Sequence, residues 1–350
     1  MIRTLKFNNF YSFHDDVELD LTVNKRAPDT GAYYTGVDEM RTSKVMSIVG
    51  PNASGKTNLL KSVVFVDWFV SDSFYLKPDD DIPFKQFLFD TRTRPSDFEV
   101  VFETNGKVYE YAVSLTTKHV ISERLRLKRK KFRTLYKRIW DEDTEVYKYD
   151  FRGYDLPADF PQLLRPNASV LSTARQINHE QSQEIINYFA TIRTNISEIG
   201  KVHGEPFSRI LEFYAENDMF RGAAERILNE YDVGLSQLKI EKVETGKETN
   251  RYVGYASHNY IDKEGQMWLS LDYESTGTRN LLALLKTILI VLASGGVAIL
   301  DEMDSDLHPL IVSEIVSLFA SETTNPRNAQ LIFSTHSVHI LNRLDKYQIV

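Results

Sequence analysis

The octapeptide Gly50-Pro51-Asn52-Ala53-Ser54-Gly55-Lys56-Thr57 constrains this chain more than any other feature. It meets the pattern G-x-x-x-x-G-K-[S/T] at every required position, a pattern that functions between a strand and a helix. Glycines let backbone amides turn inward and approach phosphate oxygens closely. A helix starting near Lys56 aims its positive end at the same oxygens. The Lys56 ammonium would hold the β- and γ-phosphates, and the Thr57 hydroxyl would ligate Mg²⁺. The flanks agree with this reading. Residues 44–49 form a short apolar run of strand length, and 58–70 carries Leu59, Leu60, Val63, Val64 and Val66 at helical spacing.

A second half of such a site lies far downstream. Gly296-Val297-Ala298-Ile299-Leu300 reads as a buried strand, and Asp301-Glu302 follows it. This is the Walker B pattern, in which Asp301 would reach Mg²⁺ and Glu302 would polarise the attacking water as general base. The loop Met303-Asp304-Ser305-Asp306-Leu307-His308-Pro309 comes next. The following strand ends in Ser334-Thr335-His336-Ser337, at the sheet edge where nucleotides bind, so His336 is placed to contact the γ-phosphate. Upstream, Ser275 is a good helix cap and Gly277 permits close backbone approach. Alone, that pair would be only a capped helix; its order between the phosphate loop and Walker B gives it meaning.

The rest of the chain reads coarsely. Strand, turn, strand opens it, a polar stretch with Pro28, Gly31 and Gly36 is expected as loop, and Asn105-Gly106 marks a hairpin within 98–115. Further strands are expected over 122–151, helices over 177–231, and strands again near 238–243 and 252–271. The final residues 347–350 read as a strand just beginning, so a C-terminal continuation is expected. The expected division is 1–176 for a first lobe with the phosphate loop and an antiparallel β region, 177–250 for a helical insertion, and 251–350 for the second part of the core. The fold class is thus α/β: a mixed central sheet, an antiparallel β subdomain and a helical lobe.

Composition narrows the function classes. The chain has no cysteine, which excludes a disulfide framework, a thiol nucleophile and a thiolate zinc site. The apolar stretch 281–300 is interrupted by Lys286, Thr287, Ser294, Gly295 and Gly296, which argues against a membrane span; a cytoplasmic location is expected. A net charge of −7 argues against a surface coated for nucleic acid. Yet nine of the fifteen residues 124–138 are Lys or Arg. This segment is read first as a solvated hairpin, with contact to nucleic acid or an acidic partner protein as the rival readings.

With these motifs in order, the chain resembles the ABC ATPases of the SMC and OLD group. It is most similar to the stand-alone AAA-type ATP-binding proteins of bacterial abortive-infection and anti-phage modules. The likeness rests on Phe7-Asn8-Asn9-Phe10-Tyr11-Ser12-Phe13, on Asn52-Ala53-Ser54-Gly55-Lys56-Thr57-Asn58, on the Asp304 loop and on Ser334-Thr335-His336-Ser337. It covers both ends of the chain and the middle loosely. The resemblance implies a head-to-tail homodimer around two ATP molecules, with Ser275 and Gly277 acting on the partner's nucleotide and Asp304 linking the two sites. It also implies a glutamine after a strand of the first lobe, just before the helical lobe. Gln176 is the candidate, and Gln86 the alternative. No heptad run long enough for coiled-coil arms and no acidic cluster of a following nuclease is present in the sequence. The expectation is a Mg²⁺-dependent ATPase acting as sensor or regulator of an anti-phage system and controlling an effector protein, a nuclease or toxin. The rivals are an SMC-like DNA-processing or DNA-end-binding ATPase, and a scaffold that binds ATP without hydrolysing it.

Overall fold

The computed structural model describes residues 1–350 except 91, 93, 198–199, 202–204, 231–234, 236, 244–250, 260–263 and 306. The expectations that touch Tyr231, 244–250, 260–263 and Asp306 therefore lie outside the described residues.

Strands β1 (Ile2–Phe7) and β2 (Val17–Asp20) pair antiparallel. Their turn is tight, with Asn9 and Tyr11 both at positive φ. The stretch expected as loop carries three short strands, β3 (Thr22–Val23), β4 (Tyr33–Thr35) and β5 (Arg41–Ser43), which form a small sheet of their own. Runs of two or three residues are too short to show a period of two in sequence. Strand β6 (Val45–Val49) leads into the phosphate loop and α1 (Lys56–Asp72). A meander follows: β7 (Ser96–Thr104), β8 (Lys107–Leu115), β9 (Val120–Lys128), β10 (Phe132–Asp141) and β11 (Val146–Asp150). Asn105 and Gly106 turn the first hairpin at φ 48° and 69°, the backbone that a two-residue turn of this hand demands.

Helices α2 (Val170–Gln176) and α3 (Glu180–Phe189) lead to β12 (Ile192–Thr194) and to the small hairpin of β13 (Ile196–Ser197) and β14 (Gly200–Lys201). Helices α4 (Phe207–Glu216) and α5 (Asp218–Glu230) precede the sheet of β15 (Leu238–Val243), β16 (Arg251–Asn259) and β17 (Gln266–Ser270). The chain closes through α6 (Thr276–Ser294), β18 (Val297–Leu300), α7 (Pro309–Ala320), β19 (Gln330–Thr335) and α8 (Val338–Leu341).

Two sheets dominate. One is antiparallel, in the order β11-β10-β9-β8-β7-β1-β2, and the other is parallel, in the order β12-β18-β19-β6. The parallel sheet is buried on both faces, and its residues alternate between two cores. Met46, Ile48, Val297, Ile299 and Ile332 join α1 and the antiparallel sheet, whereas Val45, Ala298, Leu300, Leu331 and Phe333 join α6 and α7. Strands covered on both sides read as continuous apolar runs, which is why residues 297–300 show no alternation.

The expected fold class holds: α/β, with an antiparallel β region and helices inserted between the two halves of the parallel sheet. The interval 177–250 does not act as one helical unit, however. Helix α3 packs on α1 and α2, and β12 pairs with β18, while α4 and α5 pack on α6. Helix α6 is the one helix among the described residues long and apolar enough to cross a membrane. Its Leu281, Leu282, Leu285, Ile288 and Val291 are buried in the second core, so its apolar character is used in packing. At the chain's last residues, the Val49 amide donates to the Val350 carbonyl at 2.8 Å, and the Val350 amide to the Ser47 carbonyl at 2.9 Å. The end expected as a strand is instead a 3-10 turn over Lys346–Gln348, after which only Ile349 makes a parallel bridge to Ser47 beside β6.

Candidate functional site

The parallel sheet sends the ends of β6, β18, β19 and β12 to one edge, and the sequence motifs meet there. Gly55 is the N-cap of α1 with φ 98°, and a Cβ on it would sit 2.9 Å from the Phe13 ring. Only glycine fits that conformation and that contact. Ala53 is also left-handed, at φ 62°, and Asn52, Ala53 and Ser54 are exposed along the loop. The Lys56 side chain folds back over the loop, and its ammonium donates to the carbonyls of Gly50 at 2.8 Å and Pro51 at 2.9 Å. The Asn58 amide donates to Ser12 Oγ at 2.9 Å, which fastens the β1–β2 turn to the start of α1.

Thr57 Oγ1 donates to Asp301 Oδ2 at 2.7 Å. Asp301 is 3% exposed and its other oxygen, Oδ1, accepts from Ser334 Oγ at 2.6 Å. The same Ser334 Oγ accepts the Glu302 amide at 2.7 Å. One hydroxyl therefore spans both acidic residues. Glu302 has φ 45°, a left-handed backbone that costs a non-glycine residue about 1–3 kcal/mol and persists only when neighbours hold it. The neighbours do so: the Met303 amide donates to the Ser334 carbonyl at 3.1 Å and the Ser305 amide to the Glu302 carbonyl at 3.0 Å. Asp304 Oδ2 accepts the His336 amide at 3.3 Å, while Asp304 Oδ1 is buried without a partner among the described residues. The His336 side chain is exposed at the same edge. Asp306 of that loop lies outside the described residues.

Ser275 caps α6 and accepts the Thr278 amide at 3.0 Å. No hydrogen bond among the described residues joins Ser275 or Gly277 to the phosphate loop of the same chain, and Ser275 is exposed.

Gln176 requires a correction. The expectation put it after a strand, but Val170–Gln176 is a helix capped by Ser169. Gln176 Nε2 donates to the Ser172 carbonyl at 3.2 Å, and the adjacent Arg175 lies 4.0 Å from Asp72, the last residue of α1. Lys56 begins that helix, about 24 Å away at 1.5 Å per residue. Gln86 lies at the nearer end: the Tyr11 amide donates to the Lys85 carbonyl at 2.9 Å, one residue from Ser12. Gln86 itself donates to the Arg94 carbonyl at 2.7 Å. The last strand of the parallel sheet before the α4–α5 lobe is β12, and the residue after it is Asn195. Its side chain accepts the Asp301 amide at 2.8 Å and donates to the Asp301 carbonyl at 3.0 Å. Sequence reasoning missed Asn195 because a three-residue strand inside a helical stretch leaves no periodic signal. The one available hint was that three of the four residues Thr191-Ile192-Arg193-Thr194 ahead of it are β-branched.

Four of the nine cations in the basic segment are held in internal pairs. Arg124 and Arg126 face Glu110, Lys128 lies 2.6 Å from Asp38, and Arg138 pairs with Glu123 at 2.9 Å with both side chains fully buried. Arg129, Lys130, Lys131, Arg133 and Lys137 remain exposed.

A phosphate loop and an acidic strand end, brought together on a parallel sheet, define the class of P-loop nucleotide-binding domains. The chain belongs to the family described as "AAA domain, putative AbiEii toxin, Type IV TA system", whose model matches residues 45–342. The resemblance to AAA-type proteins of abortive-infection modules is the one this family carries. No curated protein sequence matches the chain. Among solved structures it is similar to the SMC head domain from Thermotoga maritima, at 15% identity and a TM-score of 0.45, over 98% of this chain and 92% of that one.

Proposed function

We propose that this chain binds ATP with Mg²⁺ and hydrolyses it, and that two copies close head to tail around two ATP molecules. The observation that carries the reading is the 2.7 Å contact between the Thr57 hydroxyl and the Asp301 carboxylate. Both are hard oxygen donors, and Mg²⁺ is commonly held by one or two such protein oxygens together with nucleotide phosphates and water. Bound there, Mg²⁺ would neutralise charge on the phosphates. Lys56 would exchange the Gly50 and Pro51 carbonyls for the β- and γ-phosphates, with the amides of 52–57 around them. Asp301, held by Asn195 and Ser334, would keep its carboxylate on the metal side. Glu302 would take the proton of the attacking water, and His336 would contact the γ-phosphate. Ser275, exposed on each chain, and the half-buried Gly277 would complete the partner's site, and the buried Asp304 Oδ1, unpartnered among the described residues, would find its donor across the interface.

The biological role we infer is that of sensor or regulatory ATPase in a bacterial anti-phage module, holding or releasing an effector protein. The Type IV toxin–antitoxin description of the family supports it. A second reading, a DNA-processing ATPase, is favoured by the five exposed cations at 129–137 alone; stimulation of turnover by DNA would select it. The direct test of the site is Lys56→Ala, which removes the cation of the phosphate loop. Calorimetry with a non-hydrolysable ATP analogue should show binding lost, and unchanged affinity would refute the assignment.

A further inference from the structure

Hydrolysis by the route above needs the Glu302 carboxylate on the phosphate-loop side of the sheet edge. No hydrogen bond or ion pair among the described residues joins that carboxylate to residues 50–58. Glu302 Oε2 is 3.7 Å from Lys201 Nζ and accepts from Ser305 Oγ at 3.3 Å, and Lys201 Nζ also donates to the Glu302 carbonyl at 3.2 Å. Glu302 lines a cleft with Lys201, Thr194, Asn280, Leu300 and Leu307, and no residue of 50–58 lines that cleft. Lys201 thus contacts Glu302 twice, at its carboxylate and at its backbone carbonyl. The lysine sits on β14, in a hairpin that packs against α1, and α4 begins at Phe207, a few residues on.

We infer that Lys201 is a positioning residue that withholds the Glu302 carboxylate from the nucleotide, so that turnover requires this ion pair to part. The inference rests on the reading of Glu302 as the general base. The base is already at the end of β18. What it lacks is freedom to turn toward the γ-phosphate, and the Lys201 contact is the interaction that must be lost to gain it. Because α4 packs on α6, whose cap is Ser275, movement of that lobe on dimer closure is a way to part the pair.

The test is steady-state hydrolysis of ATP with Mg²⁺ by the full chain and four variants: Lys201→Met, Lys201→Gln, Lys201→Arg and the double variant Lys201→Met/Glu302→Gln. The pair is partly exposed, so its removal should raise kcat by about two- to fivefold and leave KM for ATP unchanged. Lys201→Gln should give the same rise, since charge and not length is lost, and it serves as the reading if Lys201→Met fails to bind an ATP analogue. Lys201→Arg should retain the parental rate. The double variant should be as slow as Glu302→Gln alone. Unchanged or lowered kcat in the uncharged variants, or a double variant faster than Glu302→Gln, would overturn the inference. A parental rate in Glu302→Gln alone would instead overturn the underlying assignment of the base.

Discussion

Removing the Ser334 hydroxyl is the most informative single perturbation of the acidic strand end. Ser334→Ala deletes the donor to Asp301 Oδ1 at 2.6 Å and the acceptor of the Glu302 amide at 2.7 Å. Ser334 is fully buried and Asp301 is 3% exposed, so water has little room to replace either bond. A hydrogen bond to a charged group contributes about 1.5–3 kcal/mol, and an orphaned buried amide costs about 1–3 kcal/mol. Partial relaxation around the smaller side chain reduces the sum, which leaves an expected loss of about 2–4 kcal/mol. The next residue supplies the control. Thr335→Val is nearly isosteric and removes one neutral bond, from the Ser337 amide at 2.9 Å, for an expected cost of about 0.5–1.5 kcal/mol. Urea unfolding followed by circular dichroism should show a lower midpoint for Ser334→Ala than for Thr335→Val, at equal slopes. Turnover should fall as well, because the left-handed Glu302 loses the contact that fixes its peptide. A Ser334→Ala unfolding free energy within about 0.5 kcal/mol of the parent would refute the bridging role.

Other expectations follow from the same geometry. Glu302→Gln should keep ATP bound, accumulate the ATP-bound dimer and slow hydrolysis by about 10²–10⁴-fold, read from phosphate release. Ser275→Arg mixed with Lys56→Ala should recover ATPase activity that neither variant shows alone, because one interface of the heterodimer then pairs intact halves. If neither activity nor ATP-dependent dimerisation by light scattering returns in a mixture shown to exchange subunits, the motif does not work in trans. Burial beside α3, with Asp72 nearby, pushes the Asp67 carboxyl up to about 7. A carboxyl raised in the folded state binds more protons than in the unfolded chain, so its contribution to stability is present below about pH 4 and is lost as pH rises to about 7. Asp67→Asn should therefore raise the melting temperature at pH 8 and change it little at pH 4; an equal shift at both would remove Asp67 as the cause.

The sequence by itself determined the strand–loop–helix around Lys56, the strand that ends in Asp301-Glu302, the Ser275 cap and the Asn105-Gly106 hairpin. Each is encoded locally: by glycines where φ must be positive, by a helical period, or by an apolar run bounded by turns. Ten-residue patterns of that kind survive without knowledge of the rest of the chain. Only the tertiary structure decided which distant residues meet. Ile192–Thr194 is a strand because β18 offers it an edge, and Asn195 then reaches the Asp301 backbone. Gln176 was sought by its neighbourhood in sequence, yet packing put it at the far end of α1. Lys201 carries no local signal at all, since a lone lysine is ordinary on any surface, and the strand-end motif that contains Ser334 does not say that its hydroxyl bridges Asp301 and Glu302. Their roles arise from a parallel sheet whose strands come from residues 45, 192, 297 and 330, and whose shared edge no short-range pattern can specify.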